Sequence, residues 1–248
     1  MKIIAVARFT LLRLSRSRYF FAGAFIIGLL AAATFALGDL WVSTAQNLAR
    51  MILWLMAIWL GISLVHADRA DGTLRSTLTR PISLLEVIVG KLLGALAYLA
   101  LVAAGFTVLL LLAAWHEGAA VSWRDAVYQL HLLPVHLTVM ALAMMLAQFA
   151  PRFLAGIVAL LAWDNFYTAE SINRLFPKLS PTAFDIMHGV ARVVHLVCPP
   201  TSTFYLSFKD FTVLHGVGGT YALLLVYAAH YALACCLLAA WALNRQEL

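Results

Sequence analysis

Charge is what this 248-residue chain has least of. Its 17 basic and 11 acidic side chains make up 11% of the residues, where a soluble domain carries about 25%. Hydrophobic residues make up 64%. That balance excludes a water-soluble globular domain. At about 20 apolar residues per crossing, the length suits one membrane domain of some six helices, without room for a separate soluble unit. Cysteine is scarce too. Cys198, Cys235 and Cys236 have no metal-ligand spacing and make no disulfide framework. The adjacent pair lies in an apolar run and reads as small packing residues. A phosphate loop is also missing. The pattern G-x-x-x-x-G-K-[ST] comes nearest at Gly90-Lys91, but Leu85 takes the first glycine position and Leu92 the hydroxyl position. The apolar runs lack the alternation of barrel strands, so they read as helices.

The expected fold is an all-α integral membrane domain over residues 1–248. Six spans are expected, near 19–37, 48–66, 84–115, 126–149, 153–168 and 217–243. The third is longer than a bilayer requires, so its start is expected to project into water. Pro134 is expected to kink the fourth, and Pro151-Arg152 to separate it from the fifth. The apolar core at 19–37 exceeds the roughly 7–15 residues of a secretory leader, so it is expected to remain as a span. Residues 1–18 mix basic and apolar side chains with imperfect helical periodicity. They are expected to form an interfacial helix on the cytoplasmic leaflet.

The net charge of +6 is a matter of sidedness here, and no nucleic-acid partner is expected. With the N-terminus inside, the six-span layout puts eleven Lys and Arg residues on the inner side. Six (Arg50, Arg124, Arg174, Lys178, Arg192 and Lys209) fall outside. The excess belongs on the cytoplasmic face, so both termini are expected there.

The expected outer loop, 170–216, is partly helical in pattern. Asp185, His188, Arg192 and His195 fall within about 80° on one face of an amphipathic helix that Pro199-Pro200 stop. Asp164 in the fifth span and His230 in the sixth are ionisable groups inside apolar runs, which mark functional positions by default. These six residues are the candidates for a substrate path or outer gate. The histidines, including His131 and His136 beside Pro134, show no ligand spacing with a third partner. No metal site is expected. A haem- or metal-handling membrane protein is the alternative reading, and a membrane anchor for an extracytoplasmic maturation complex is another.

The polar exception is the stretch HADRADGTLRSTLTRPISLLEVIVGK at 66–91. It holds seven of the charged side chains: Asp68, Arg69, Asp71, Arg75, Arg80, Glu86 and Lys91. It falls between the second and third spans, on the expected cytoplasmic side. Asp68 and Asp71 suit a helix start. The run TLRSTLT can make two helical turns, and Pro81 ends them. A short surface helix is expected at 67–82.

These residues resemble the signature of ABC-2-type permeases. The likeness runs through Asp68-Arg69-Ala70-Asp71-Gly72-Thr73-Leu74, Leu78, Arg80-Pro81-Ile82-Ser83 and Gly90-Lys91. It extends to the layout of basic N-terminus, six spans, long third span and helical outer loop. Leu84 departs from it, since the family often has Arg there. The resemblance implies that 67–82 is a coupling helix docking in a groove of a separate ATP-binding subunit. Asp68, Arg69, Asp71, Gly72, Thr73, Leu74, Arg75, Leu78, Arg80 and Pro81 would make that contact. It further implies a non-catalytic exporter subunit of a bacterial-type inner membrane. ATP and Mg would sit on two partner ATPase copies, with no cofactor in this chain. A second permease copy, most simply forming a homodimer, and an extracytoplasmic protein are further expected partners.

Overall fold

An apolar segment that leaves water must satisfy its own backbone, and this chain does so with helices. The computed structural model describes residues 2–16, 41–70, 82–117, 130–161, 180–186, 189 and 217–246. Its main helices are α1 (Lys2–Ser15), α2 (Trp41–Ala70), α3 (Leu84–Glu117), α4 (Leu133–Phe149), α5 (Arg152–Leu161) and α6 (Val217–Gln246). A shorter helical segment occupies 181–186. Among the described residues, three helices are long and apolar enough to cross a membrane. Their apolar windows are Asn47–Leu64, Leu84–Leu112 and Ala222–Arg245. The expected span at 19–37 lies outside the described residues, as does the part of the fifth beyond Leu161.

The centre of the bundle is α4. Thirteen of its seventeen residues are buried, because α2 and α6 pack on it and α3 and α5 touch it as well. Small residues permit the close approach. A side chain at Gly61 of α2 would run into the Met140 carbonyl and meet Ala143 Cβ at 3.0 Å. On α6, Ala228, Ala232, Cys235, Cys236, Ala239 and Ala242 form the buried stripe, at the spacing of one helical face.

The ends of α4 follow from its prolines. The chain turns at Leu132, and Pro134 sits in the first turn of the helix. Its missing N–H is an orphan there anyway. Pro134 therefore sits at the start of a helix, where a kink inside a longer one was expected. At the other end Ala150, extended at φ −133° and ψ 156°, precedes Pro151, as a residue before proline favours. The break expected at Pro151-Arg152 is present, and α5 begins at Arg152.

At the insert, one stem departs from the hydropathy reading and the other follows it. α2 continues as one helix to Ala70, so residues 67–70, expected to open a separate surface helix, continue α2 beyond its apolar window. α3, at 34 residues, is about 51 Å long, some 20 Å more than the hydrocarbon core. Its first turns carry α1.

Candidate functional site

The charged insert lies between the stems α2 and α3, and the structure shows how both stems are held. Asp68 and Arg69 belong to the last turn of α2. Their side chains lie outside the described residues, as do Asp71, Gly72, Thr73, Leu74, Arg75, Leu78, Arg80 and Pro81.

On the exit side, Ser83 and Glu86 form a reciprocal cap. The Ser83 N–H donates to Glu86 Oε2 at 2.8 Å and its hydroxyl donates to the same oxygen at 3.0 Å. The Glu86 N–H donates back to Ser83 Oγ at 3.2 Å. Two backbone donors at the helix start are thereby satisfied. The chain leaves the insert in a fixed direction.

Seven residues into α3, Lys91 reaches back across the insert. Its ammonium donates to the Leu64 carbonyl of α2 at 3.2 Å, and the side chain is only 8% exposed. Burying a cation is costly without partners. Here it spans 27 residues of sequence and ties the entry stem to the exit stem.

The same turn of α3 seats α1. The helices run in the same direction, with Gly90 facing Ile3 and Val6, and Gly94 facing Ala7 and Thr10. A Cβ at Gly90 would come within 2.6 Å of Val6 Cβ, and one at Gly94 within 2.5 Å of the Ala7 carbonyl. This is the small-x-x-x-small pattern through which helix backbones approach closely. Further along α1, Leu14 joins the main apolar core and Leu11 packs against it. The opposite face of α1 exposes Lys2, Arg8, Arg13 and Arg16, with Ile4, Phe9 and Leu12 between them. Sequence reading missed the seam because these exposed apolar residues blur the periodicity. The signal within reach was Gly90-x-x-x-Gly94.

The other candidates are placed less fully. Asp185 is exposed on the 181–186 segment. Ser180 starts that segment, its hydroxyl accepting from the Ala183 N–H at 3.4 Å and its carbonyl from the Phe184 N–H at 2.9 Å. Asp164, His188, Arg192 and His195 lie outside the described residues. His230 is exposed on α6, with Nδ1 2.7 Å from the Val226 carbonyl. Tyr227 and Tyr231 stack beside it at 6.1 Å. The fully buried His136 places Nδ1 2.7 Å from the Leu132 carbonyl, with its ring edge-on to Trp54 at 6.4 Å. Thr138 and Gln148 likewise donate to carbonyls one turn back in α4. These polar groups bond to their own helix backbone, as apolar surroundings require.

The described residues thus place the charged insert between two long apolar helices, with a capped exit helix and one buried bond between the stems. The profile of ABC-2 family transporter proteins matches residues 17–248. The chain belongs to the ABC-2 transporter family. No curated protein matches it. ABC-2 membrane components are non-catalytic and work with an ATPase partner. The match starts after α1, so the helix seated on Gly90 and Gly94 precedes the matched region of this ABC-2 chain.

Proposed function

We propose that this ABC-2 chain is the permease subunit of an ATP-driven exporter, and that a separate ATPase subunit docks on residues 68–81. Asp68 and Asp71 pair with basic groups or cap helix amides of the partner. Arg75 and Arg80 meet its acidic groups, and Leu74 and Leu78, one helical turn apart, are the apolar anchors. Gly72 permits a tight entry that a side chain would obstruct. Two copies form a two-fold permease above two ATPase subunits, which hold the ATP and Mg; no cofactor binds this chain. The insert faces the cytoplasm of a bacterial-type inner membrane, with both termini on the same side. Asp164, Asp185, His188, Arg192, His195 and His230 belong to the outer half, where motion drives export or passes to an extracytoplasmic protein.

The observation that carries this reading is the Lys91–Leu64 tie together with the Ser83–Glu86 cap. A loop that transmits force needs stems that do not splay; the Lys91 bond joins the two stems, and the cap fixes the start of the exit helix. The double substitution Asp71→Lys with Leu74→Asp tests it. Membrane insertion is expected to stay normal, because the segment is outside the apolar helices. Recovery of the ATPase subunit by pull-down is expected to fall about thirtyfold, as for loss of an interface hot spot of ~2 kcal/mol. Full recovery of the partner would remove the main support for this reading.

A further inference from the structure

Away from the insert, the C-terminal end of α6 carries a stripe that changes character along its length. Leu237, Trp241 and Arg245 follow at steps of four residues, so they lie on one helical face. All three are exposed. The Arg245 guanidinium lies over the Trp241 ring at 4.2 Å. Phe149, at the end of α4, closes the side of the patch, with its ring 6.4 Å from Trp241. Arg152, three residues on, is exposed at the start of α5, as is Phe153. From Leu237 to Arg245 is about 12 Å along the helix.

The position of the stripe narrows its occupant. The apolar window of α6 ends at Arg245, so the order aliphatic, aromatic, cation runs outward from the apolar interior. That is the polarity order of a single phospholipid: acyl chain, glycerol ester, phosphate. Tryptophan and arginine are at home at such a boundary. A guanidinium on an indole face keeps its edge donors available for phosphate oxygens. An acidic protein surface would satisfy Arg245, but it would give no reason for half-exposed Leu237, Phe149 and Trp241 beneath the cation.

We propose that Leu237, Trp241 and Arg245, flanked by Phe149, form a binding site for an anionic phospholipid. The acyl chain lies on Leu237, the ester region on Trp241, and the phosphate on Arg245. The site is independent of the coupling reading above.

The test uses the purified full-length chain, delipidated in detergent. Phosphatidylglycerol, phosphatidylcholine and inorganic phosphate are titrated separately, reading melting temperature and lipid retained in native mass spectrometry. The wild type is expected to retain phosphatidylglycerol and to gain more thermal stability from it than from phosphatidylcholine, with no gain from inorganic phosphate. Arg245→Gln is expected to bind phosphatidylglycerol about tenfold more weakly, the loss of one charge-assisted contact. Arg245→Lys should fall between the two. Equal stabilisation of the wild type by both lipids overturns the proposal, even if the variants fail to fold. Unchanged lipid retention in Arg245→Gln overturns it too, as does an Arg245→Gln variant that loses the ATPase subunit while keeping its lipid.

Discussion

Lys91 adds a polar tie to the apolar packing that joins the two stems. Its ammonium is buried and given to the Leu64 carbonyl, which lies 27 positions earlier. Lys91→Met keeps the aliphatic stem and removes both the charge and the tie. Stability should therefore change little, by roughly 1 kcal/mol, since the loss of a hydrogen bond is offset by relief of a buried charge. Local order should change more. Hydrogen exchange over residues 61–70 is expected to quicken in Lys91→Met and to stay near wild type in Lys91→Arg. Equal rates in all three proteins would mean the tie holds nothing. The histidines act differently. His136 is wholly buried and within hydrogen-bond distance of the carbonyl of Leu132, the residue that caps its helix, so it reads as a packing residue of α4.

At the scale of elements, the glycines decide which helices meet. Gly90 and Gly94 seat α1, and Gly61 lets α2 approach α4. Gly94→Leu should lift α1 from α3, because even a Cβ comes within 2.7 Å of Thr10 Cβ and 2.5 Å of the Ala7 carbonyl. Overpacking of this kind costs about 1–3 kcal/mol. Limited proteolysis is expected to cleave within residues 3–14 of the variant and to spare the wild type. A protected N-terminus in Gly94→Leu would contradict the docking. Much of the helix layout was legible from apolar runs and prolines. The third span was expected from residue 84, and the Ser83–Glu86 cap explains why it starts there. Hydropathy stopped α2 at residue 66, but the helix runs to Ala70 because backbone hydrogen bonding does not end where apolarity does. The α1 seam and the Lys91–Leu64 bond were not legible, because each pairs residues far apart in the chain. The expected helix through the insert's centre, 71–81, lies outside the described residues.

At the scale of the whole molecule, the chain belongs to a transporter family whose membrane components need an ATPase, and it has no phosphate loop of its own. The proposed route for energy is therefore the contact between the insert and that ATPase. The Lys91–Leu64 bond, the Ser83–Glu86 cap and the α1 seam on α3 all lie at one end of the bundle, and the proposed contact is at that end. The most direct measurement is site-specific photo-cross-linking in membranes that contain both subunits. Benzoylphenylalanine replaces Leu74 in the insert, and separately Leu223 at the opposite end of α6. The account predicts an ultraviolet-dependent adduct to the ATPase subunit from position 74 and none from position 223. An adduct from position 223 alone, or none from position 74 while the ATPase co-purifies, would contradict it.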